Sequence, residues 1–280
     1  MRQVPSTAPG QGAPRVGSTV GLTVPLRVLP PRWHRHLRAL HHYAAWLDAL
    51  DEQPLDRPAA LDRFEAELRD MYAGRPVRHP VLRVLAPTVA ERRLPLAPFL
   101  DLIRAHRVDQ RVASPTFADV VAHCRLSANP LGRLVLHVFG QAAPAHLELS
   151  DRICTGLRLT EHLRDLAADH QRRRIYLPEA DLDRFGVVPD DIGRPVATGQ
   201  LRELVGYAAE RARALLEAGA PLVAGLTGWG RLVVSRGLAE GRATLDALAE
   251  AGYDPLSARI RPGRSRIAAR WLAATVRTAG

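Results

Sequence analysis

Asp165 and Asp169 stand four residues apart, and the chain then runs through Arg173 and Arg174 into Ile175-Tyr176-Leu177-Pro178. On a helix, residues at that spacing lie one turn above each other on a single face. Two carboxylates so placed repel each other unless a cation sits against them. Mg²⁺ suits the position, because it takes hard oxygen ligands, is held through one or two carboxylates and completes its shell with water and substrate phosphate. The guanidinium groups of Arg173 and Arg174 are built to fork onto phosphate oxygens, and Tyr176 adds a hydroxyl donor. In a chain this rich in arginine, the competing reading of either arginine is a solvated surface residue.

A second acidic cluster lies far upstream, as Asp48, Asp51 and Glu52. Its members, at i, i+3 and i+4, again share one helix face. If the two helices face each other across a cavity, the carboxylates converge on one polar rim. Such a rim can hold several Mg²⁺ ions, which screen a diphosphate and stabilise the charge it gains on leaving. Either cluster alone reads as a solvated helix face; the two together, with the basic segment, favour a ligand site. The run from Ser127 and Asn129 through Gly132 to Arg133 sits inside an apolar helical stretch. Small residues there serve close helix packing and substrate contact equally well. Histidines 34, 36, 41 and 42 crowd the first helix without a zinc spacing, which assigns them to surface or packing.

The elements that must carry these residues read as helices. Leu37, Leu40, Ala44 and Leu47 fall at helical spacing after Pro30-Pro31, so a first helix is expected to about Glu52, where Gln53-Pro54 stops it. Further helices are expected at about 57–73, 79–92, 96–111, 116–140, 146–172, 197–218, 221–251 and 264–277. Gly228-Trp229-Gly230 is a point at which one of them bends or breaks. Residues 1 to about 20, with Pro5, Pro9 and Pro14 and little apolar periodicity, read as a disordered leader before a single helical domain over 21–280.

Composition agrees with an all-α chain: alanine, leucine and arginine dominate, and aromatic residues make up 5%. The formal charge of +10 carries no nucleic-acid signal, because the arginines are spread along nearly every helix and lysine is absent. A mild attraction to an anionic substrate or an anionic membrane surface is the expected consequence, with peripheral contact at the inner face of the membrane. Cys124 and Cys154, thirty residues apart, fit no metal or CxxC spacing and read as packing residues of a reduced, cytoplasmic protein. No stretch reads as a signal peptide or a membrane span.

Several motifs together resemble the squalene/phytoene synthase family over about residues 22 to 275: the two acidic clusters, Ser127-Ala128-Asn129-Pro130 with Gly132-Arg133, Asp109-Gln110, and Arg174-Ile175-Tyr176-Leu177-Pro178. The Ser-Ala-Asn-Pro run and the segment from Pro95 to Arg111 are most similar to the hydroxysqualene synthase branch of bacterial hopanoid pathways. The resemblance implies a single-domain isoprenoid-synthase helical bundle around a central apolar cavity. It places Asp48, Asp51, Glu52, Asp165 and Asp169 on Mg²⁺, with Asp165, Asp169 and Tyr176 in catalysis. It also places Arg173, Arg174, Ser127, Asn129 and Arg133 on a prenyl diphosphate. In that branch presqualene diphosphate ionises, its cation rearranges and water captures it as hydroxysqualene, with a companion synthase and a flavin oxidoreductase in the same pathway.

The departures from the pattern are specific. Leu47 stands where the family's first aspartate is expected, Ala44 replaces a common arginine, and Arg158 and Glu161 replace the usual glutamine and asparagine ahead of Asp165. Glu161 is then a candidate metal ligand one turn before Asp165, and Arg158 a candidate phosphate ligand. The same departures leave two further readings open: condensation of two prenyl diphosphates, and a drifted, catalytically weak isoprenoid-binding homologue.

Overall fold

The computed structural model describes residues 29–50, 56–108, 116–257 and 260–276, so the expected leader lies outside the described residues. Among the described residues the chain is helical, without a strand. Proline opens many of the helices because its fixed φ suits the first turn and its missing N–H is not needed there. In this way begin α1 (Pro31–Leu50), α2 (Arg57–Tyr72), α3 (Pro80–Arg92) and α4 (Ala97–Arg107). A capping box starts α5 (Phe117–Ser127), in which the Thr116 hydroxyl accepts from Asp119 N and the Asp119 carboxylate accepts from Thr116 N. There follow α6 (Asn129–Val138), α7 (Pro144–Arg164), α8 (Leu166–Gln171), α9 (Glu179–Phe185), α10 (Pro189–Ile192), α11 (Gly199–Gly219), α12 (Leu222–Gly225), α13 (Gly228–Glu250) and α14 (Arg264–Val276).

Three expected helices are each divided in two. The stretch 116–140 breaks at Ala128 (φ −122°, ψ −50°), just before Pro130, which sits in the first turn of the next helix and has no N–H to give the turn behind it. The stretch 146–172 breaks at Asp165 (φ −99°, ψ 12°), which both ends α7 and precedes α8. Asp169 N still bonds to Asp165 O at 2.9 Å across that break, so the two aspartates remain one turn apart. The stretch 221–251 breaks before Gly228, whose φ of +52° lies in the left-handed region that glycine enters without cost.

The hub of the bundle is α7. It packs most extensively along α11 and also touches α5, α6, α12 and α13, while α1 lies against α3, α4 and α6. Close approach on α7 depends on glycines of its neighbours. A Cβ on Gly219 of α11 would lie 2.8 Å from Leu149 O and 3.0 Å from Ile153 N, both main-chain atoms that cannot swing away. Leu47 is fully buried in the same core cluster as Leu40, Tyr43 and Leu68, so the departure at this position places a packing residue where the family pattern has an acid. No helix among the described residues is long and apolar enough to cross a membrane.

Gly219→Ala is expected to lower the unfolding free energy by about 1–3 kcal/mol, as overpacking does in a filled core. Chemical denaturation measures it, and an unchanged midpoint would contradict the packing described for α7 and α11.

Candidate functional site

The charged residues gather where α1, α4, α5, α7 and the segment after α8 meet. At their centre is Arg158 of α7. Its Nη2 donates to Ser127 O at the end of α5 (3.3 Å), and its Nη1 lies 3.4 Å from Glu161 Oε2 one turn on. Burial works against this guanidinium, but Glu161, Asp48 and Tyr176 favour its charge and hold its pKa above the ordinary arginine value. The end of α1 therefore reaches the same place as α7. Asp48 Oδ1 also sits 3.7 Å from His106 Nε2 of α4.

Glu161 feels the converse. Burial pushes its carboxyl up to about 7, with Asp165 and Glu240 adding to the rise and Arg158 and Arg164 opposing it. Asp165 is gripped by its neighbour: Arg164 Nε and Nη2 donate to its two oxygens at 2.9 and 2.6 Å. Asp169 faces His162, whose Nδ1 lies 3.7 Å from Asp169 Oδ2. Arg173 closes α8 in the left-handed conformation (φ +59°), and Arg174 N bonds back to Asp169 O at 2.9 Å. That reversal returns Tyr176 to α7, where its ring stacks on His162 with centroids 3.7 Å apart and planes 21° from parallel.

The structure thus brings Asp48, Arg158, Glu161, Asp165, Asp169 and Tyr176 into one connected set. Asp51 and Glu52 lie outside the described residues, as do Asp109 and Gln110. Arg173 is exposed and Arg174 half-buried. Two of the expected substrate contacts are engaged in packing between helices. Arg133 makes a two-pronged pair with Asp151, with Nε to Oδ1 at 2.9 Å, and buried Asn129 accepts from the Thr155 hydroxyl at 3.0 Å. Ser127 faces both ways: its carbonyl serves Arg158, while its Oγ is buried without a hydrogen-bond partner.

Sequence reasoning passed over three histidines, 106, 123 and 162, which come from three different helices. His123 has its pKa pulled down to about 4, by burial first and then by His162, Arg158 and His106. It is therefore a neutral imidazole beside the charged set at neutral pH. The signal available was His162 itself, lying inside the second acidic motif next to Glu161.

One turn earlier on α7 than Arg158 and Glu161 lies a small apolar cleft between α6, α7, α12 and α13, lined by Gly132, Val135, Ile153, Cys154, Leu157 and Val233 among others. Helix geometry fixes the relation: Cys154 and Arg158, and Leu157, Glu161 and Asp165, stand four apart on one face of α7. Glycine at 132 lets α6 come this close, since a Cβ there would lie 2.4 Å from Cys154 Sγ. A second cleft of similar size lies on another face of α7, lined by Phe117, Leu159, Leu163 and Leu177 together with His162 and Tyr176 of the charged site.

Charged residues beside greasy clefts suit a ligand with an anionic head and a hydrocarbon tail. Comparison with known proteins names the class, because residues 19–270 match the squalene/phytoene synthase family. The chain belongs to the squalene/phytoene synthase family. Members are prenyltransferase-type enzymes acting on prenyl diphosphates, and the chemistry of the family is their head-to-head condensation. A hydroxysqualene synthase of Rhodopseudomonas palustris is 32% identical over 203 residues, 70% of this chain and 68% of that protein. A chloroplastic phytoene synthase of Daucus carota is 28% identical over 249 residues, 85% of this chain but only 62% of its own length. The crystal structure of squalene synthase HpnC from Alicyclobacillus acidocaldarius superposes with a TM-score of 0.75 at 37% identity, covering 81% of this chain and 88% of that one. A dehydrosqualene synthase in complex with ligand has the same fold, with a TM-score of 0.79 at 24% identity over 91% of this chain and 90% of that one.

The donors present are of the kind Mg²⁺ takes: carboxylate oxygens on Asp48, Asp165 and Asp169, and a buried Glu161 Oε2 without a hydrogen-bond partner. Among the described residues, however, no three acidic, histidine or cysteine side chains form a ready metal-ligand group. The first motif is also short of the carboxylate that Leu47 replaces.

Histidines 36, 41, 79, 123, 137 and 162 all have pKa values lowered from 6.5, chiefly by burial. The unfolded chain takes up these protons at higher pH than the folded one, so their contribution to stability is complete above about 6.5 and lost as the pH falls towards 4. Melting temperature is expected to drop steadily between pH 7 and pH 4.5, and His123→Gln to drop less steeply. A flat profile, or one that His123→Gln leaves unchanged, would contradict the burial of these rings.

Proposed function

We propose that this chain is a hydroxysqualene synthase, converting presqualene diphosphate to hydroxysqualene in hopanoid biosynthesis. The observation that carries the reading is the charged set around Arg158, Glu161 and Asp169 with apolar clefts beside it on α7, one of them lined by His162 and Tyr176 of that set. Its identity of 32% with a hydroxysqualene synthase, over two-thirds of that protein, supports the branch.

In this reading the tail lies in the cleft and the diphosphate at the rim. Asp48, Asp165 and Asp169 would hold Mg²⁺, with Asp51, Glu52 and Glu161 as further ligands, and the ion supplies charge neutralisation for the departing diphosphate. Arg158, Arg173 and Arg174 bind phosphate oxygens, and Tyr176, fixed by its stack on His162, donates its hydroxyl to the same group. The carbon–oxygen bond breaks with its electron pair on diphosphate. The cyclopropylcarbinyl cation rearranges among apolar side chains, one water adds to the resulting carbocation, and the proton it loses passes to solvent or diphosphate. The cleft wall must keep other water away until then. A companion synthase supplying the substrate, a flavin oxidoreductase consuming the product and a weak contact with anionic membrane complete the proposed setting.

Purified protein with presqualene diphosphate and Mg²⁺ is expected to yield hydroxysqualene, and Asp165→Asn or Asp169→Asn to lose about 100-fold or more in kcat. Full recovery of substrate at high enzyme concentration would overturn the assignment. Condensation of two allylic diphosphates is the second reading, favoured by the likeness to phytoene synthases, and consumption of farnesyl or geranylgeranyl diphosphate instead would establish it.

A further inference from the structure

We propose that the outer face formed by α1 and α3 is the surface by which the protein docks on an anionic phospholipid bilayer. The inference rests on the membrane contact in the proposed setting, to which it gives a definite face, and not on the identity of the prenyl substrate.

In this molecule it is the acids, more than the arginines, that are unevenly placed. Exposed arginines on α2 and α4 are answered by nearby carboxylates, as Arg69 is by Glu65 and Arg104 by Asp101. From Pro31 to Leu47, α1 has no acid, and α3 with its cap residue Arg93 has one, Glu91. These two stretches carry six arginines, and with them half of the chain's formal excess of +10. Among the described residues, exposed Arg32, Arg38, Arg83 and Arg93 form no ion pair. The fold leaves their charge open to solvent, where it is available to an anionic partner.

Two ridges run side by side on this face. On α1, Arg32, Arg35 and Arg38 recur every third residue and are exposed, across the helix from buried Leu37, Leu40 and Leu47. On α3, Pro80, Arg83, Val84 and Pro87 fall at i, i+3, i+4 and i+7, a stripe that a helix ordinarily turns towards a core. Here the stripe faces outward, with Val84 50% exposed, while Leu82 and Leu85 are buried on the other side. The ion pair between Arg35 and Glu91, one turn past Pro87, joins the two ridges. A row of guanidinium groups beside apolar tips matches the bilayer interface: the cations meet lipid phosphates, and Val84 with the two prolines enters the boundary between headgroups and acyl chains. A nucleic acid would engage the cations but offer nothing to the apolar stripe. Docked in this way, α1 lies along the surface, and Asp48 follows Arg38 by ten residues, about 15 Å of helix. The charged set is thereby kept near the phase in which a long-tailed substrate dissolves.

Sedimentation with phosphatidylcholine vesicles, with and without phosphatidylglycerol, tests the face. Wild-type protein is expected to bind only the vesicles that contain phosphatidylglycerol, with an affinity that falls as salt is raised. Arg32→Gln/Arg38→Gln/Arg83→Gln is expected to lose about 10-fold or more in affinity at an unchanged melting temperature, and Val84→Asp to weaken binding as well. Arg63→Gln/Arg125→Gln/Arg261→Gln removes the same charge from exposed positions on other elements and is expected to stay within about 3-fold of wild type. Equal losses in the two triple variants, or undiminished binding by the first, overturn the assignment to this face and leave the membrane contact standing. Undiminished binding by Val84→Asp overturns the part given to the apolar stripe. Failure of wild type to bind either vesicle overturns both the face and the membrane contact, without touching the diphosphate chemistry. Tighter binding to a DNA duplex than to the phosphatidylglycerol vesicles overturns the choice of partner.

Discussion

A positive charge set largely inside a helical bundle has to be answered, and the position of Arg158 on α7 organises the site around that requirement. An ion taken out of water costs several kcal/mol unless neighbours compensate. Here the compensation comes from three directions: Glu161 along the same helix, the main-chain carbonyl of Ser127 at the end of α5, and Asp48 at the end of α1. The charge of this side chain is therefore felt at both acidic clusters. Removing its charge would leave Glu161 desolvated and unpaired, so the rim holds together as a unit.

Below that rim the chemistry changes within one turn. Cys154 and Leu157 face the cleft, Arg158 and Glu161 face the charged set, and the boundary between them runs across α7. A boundary of this kind sorts an amphiphilic substrate by itself, head to the charges and tail to the hydrocarbon. Close packing keeps the boundary sharp: Gly132 admits α6 against Cys154, and Gly219 admits α11 against Ile153. The neutral imidazole of His123 adds a polar group to the rim without adding charge.

Much of the helical framework was legible in the sequence, because apolar spacing and proline punctuation are local signals. The acidic pair at Asp165 and Asp169 was legible for the same reason, and it survives the break at Asp165 because the main-chain bond from Asp169 spans it. What the sequence hid was long-range. Histidines 106, 123 and 162 meet only once α4, α5 and α7 are assembled, and no periodicity within one helix announces that. Arg133 and Asn129 carry the chemistry of substrate contacts, yet their partners Asp151 and Thr155 lie on the adjacent α7, a pairing that residue type alone does not reveal. Arginine-rich composition misleads about partners in a similar way, since Arg202 with Asp254 and Arg242 with Glu217 show the basic excess woven into the fold's own ion pairs.

How a substrate lies along α7, head at the charged set and tail towards Cys154, decides the proposed chemistry. A crystal structure with farnesyl thiolodiphosphate bound tests it most directly. The diphosphate is predicted within hydrogen-bonding distance of Arg158, between Asp48 and Asp169, with the first isoprene units against Gly132, Cys154 and Leu157. A headgroup remote from Arg158, or a tail lodged in the other cleft beside Leu159 and Leu163, would contradict it.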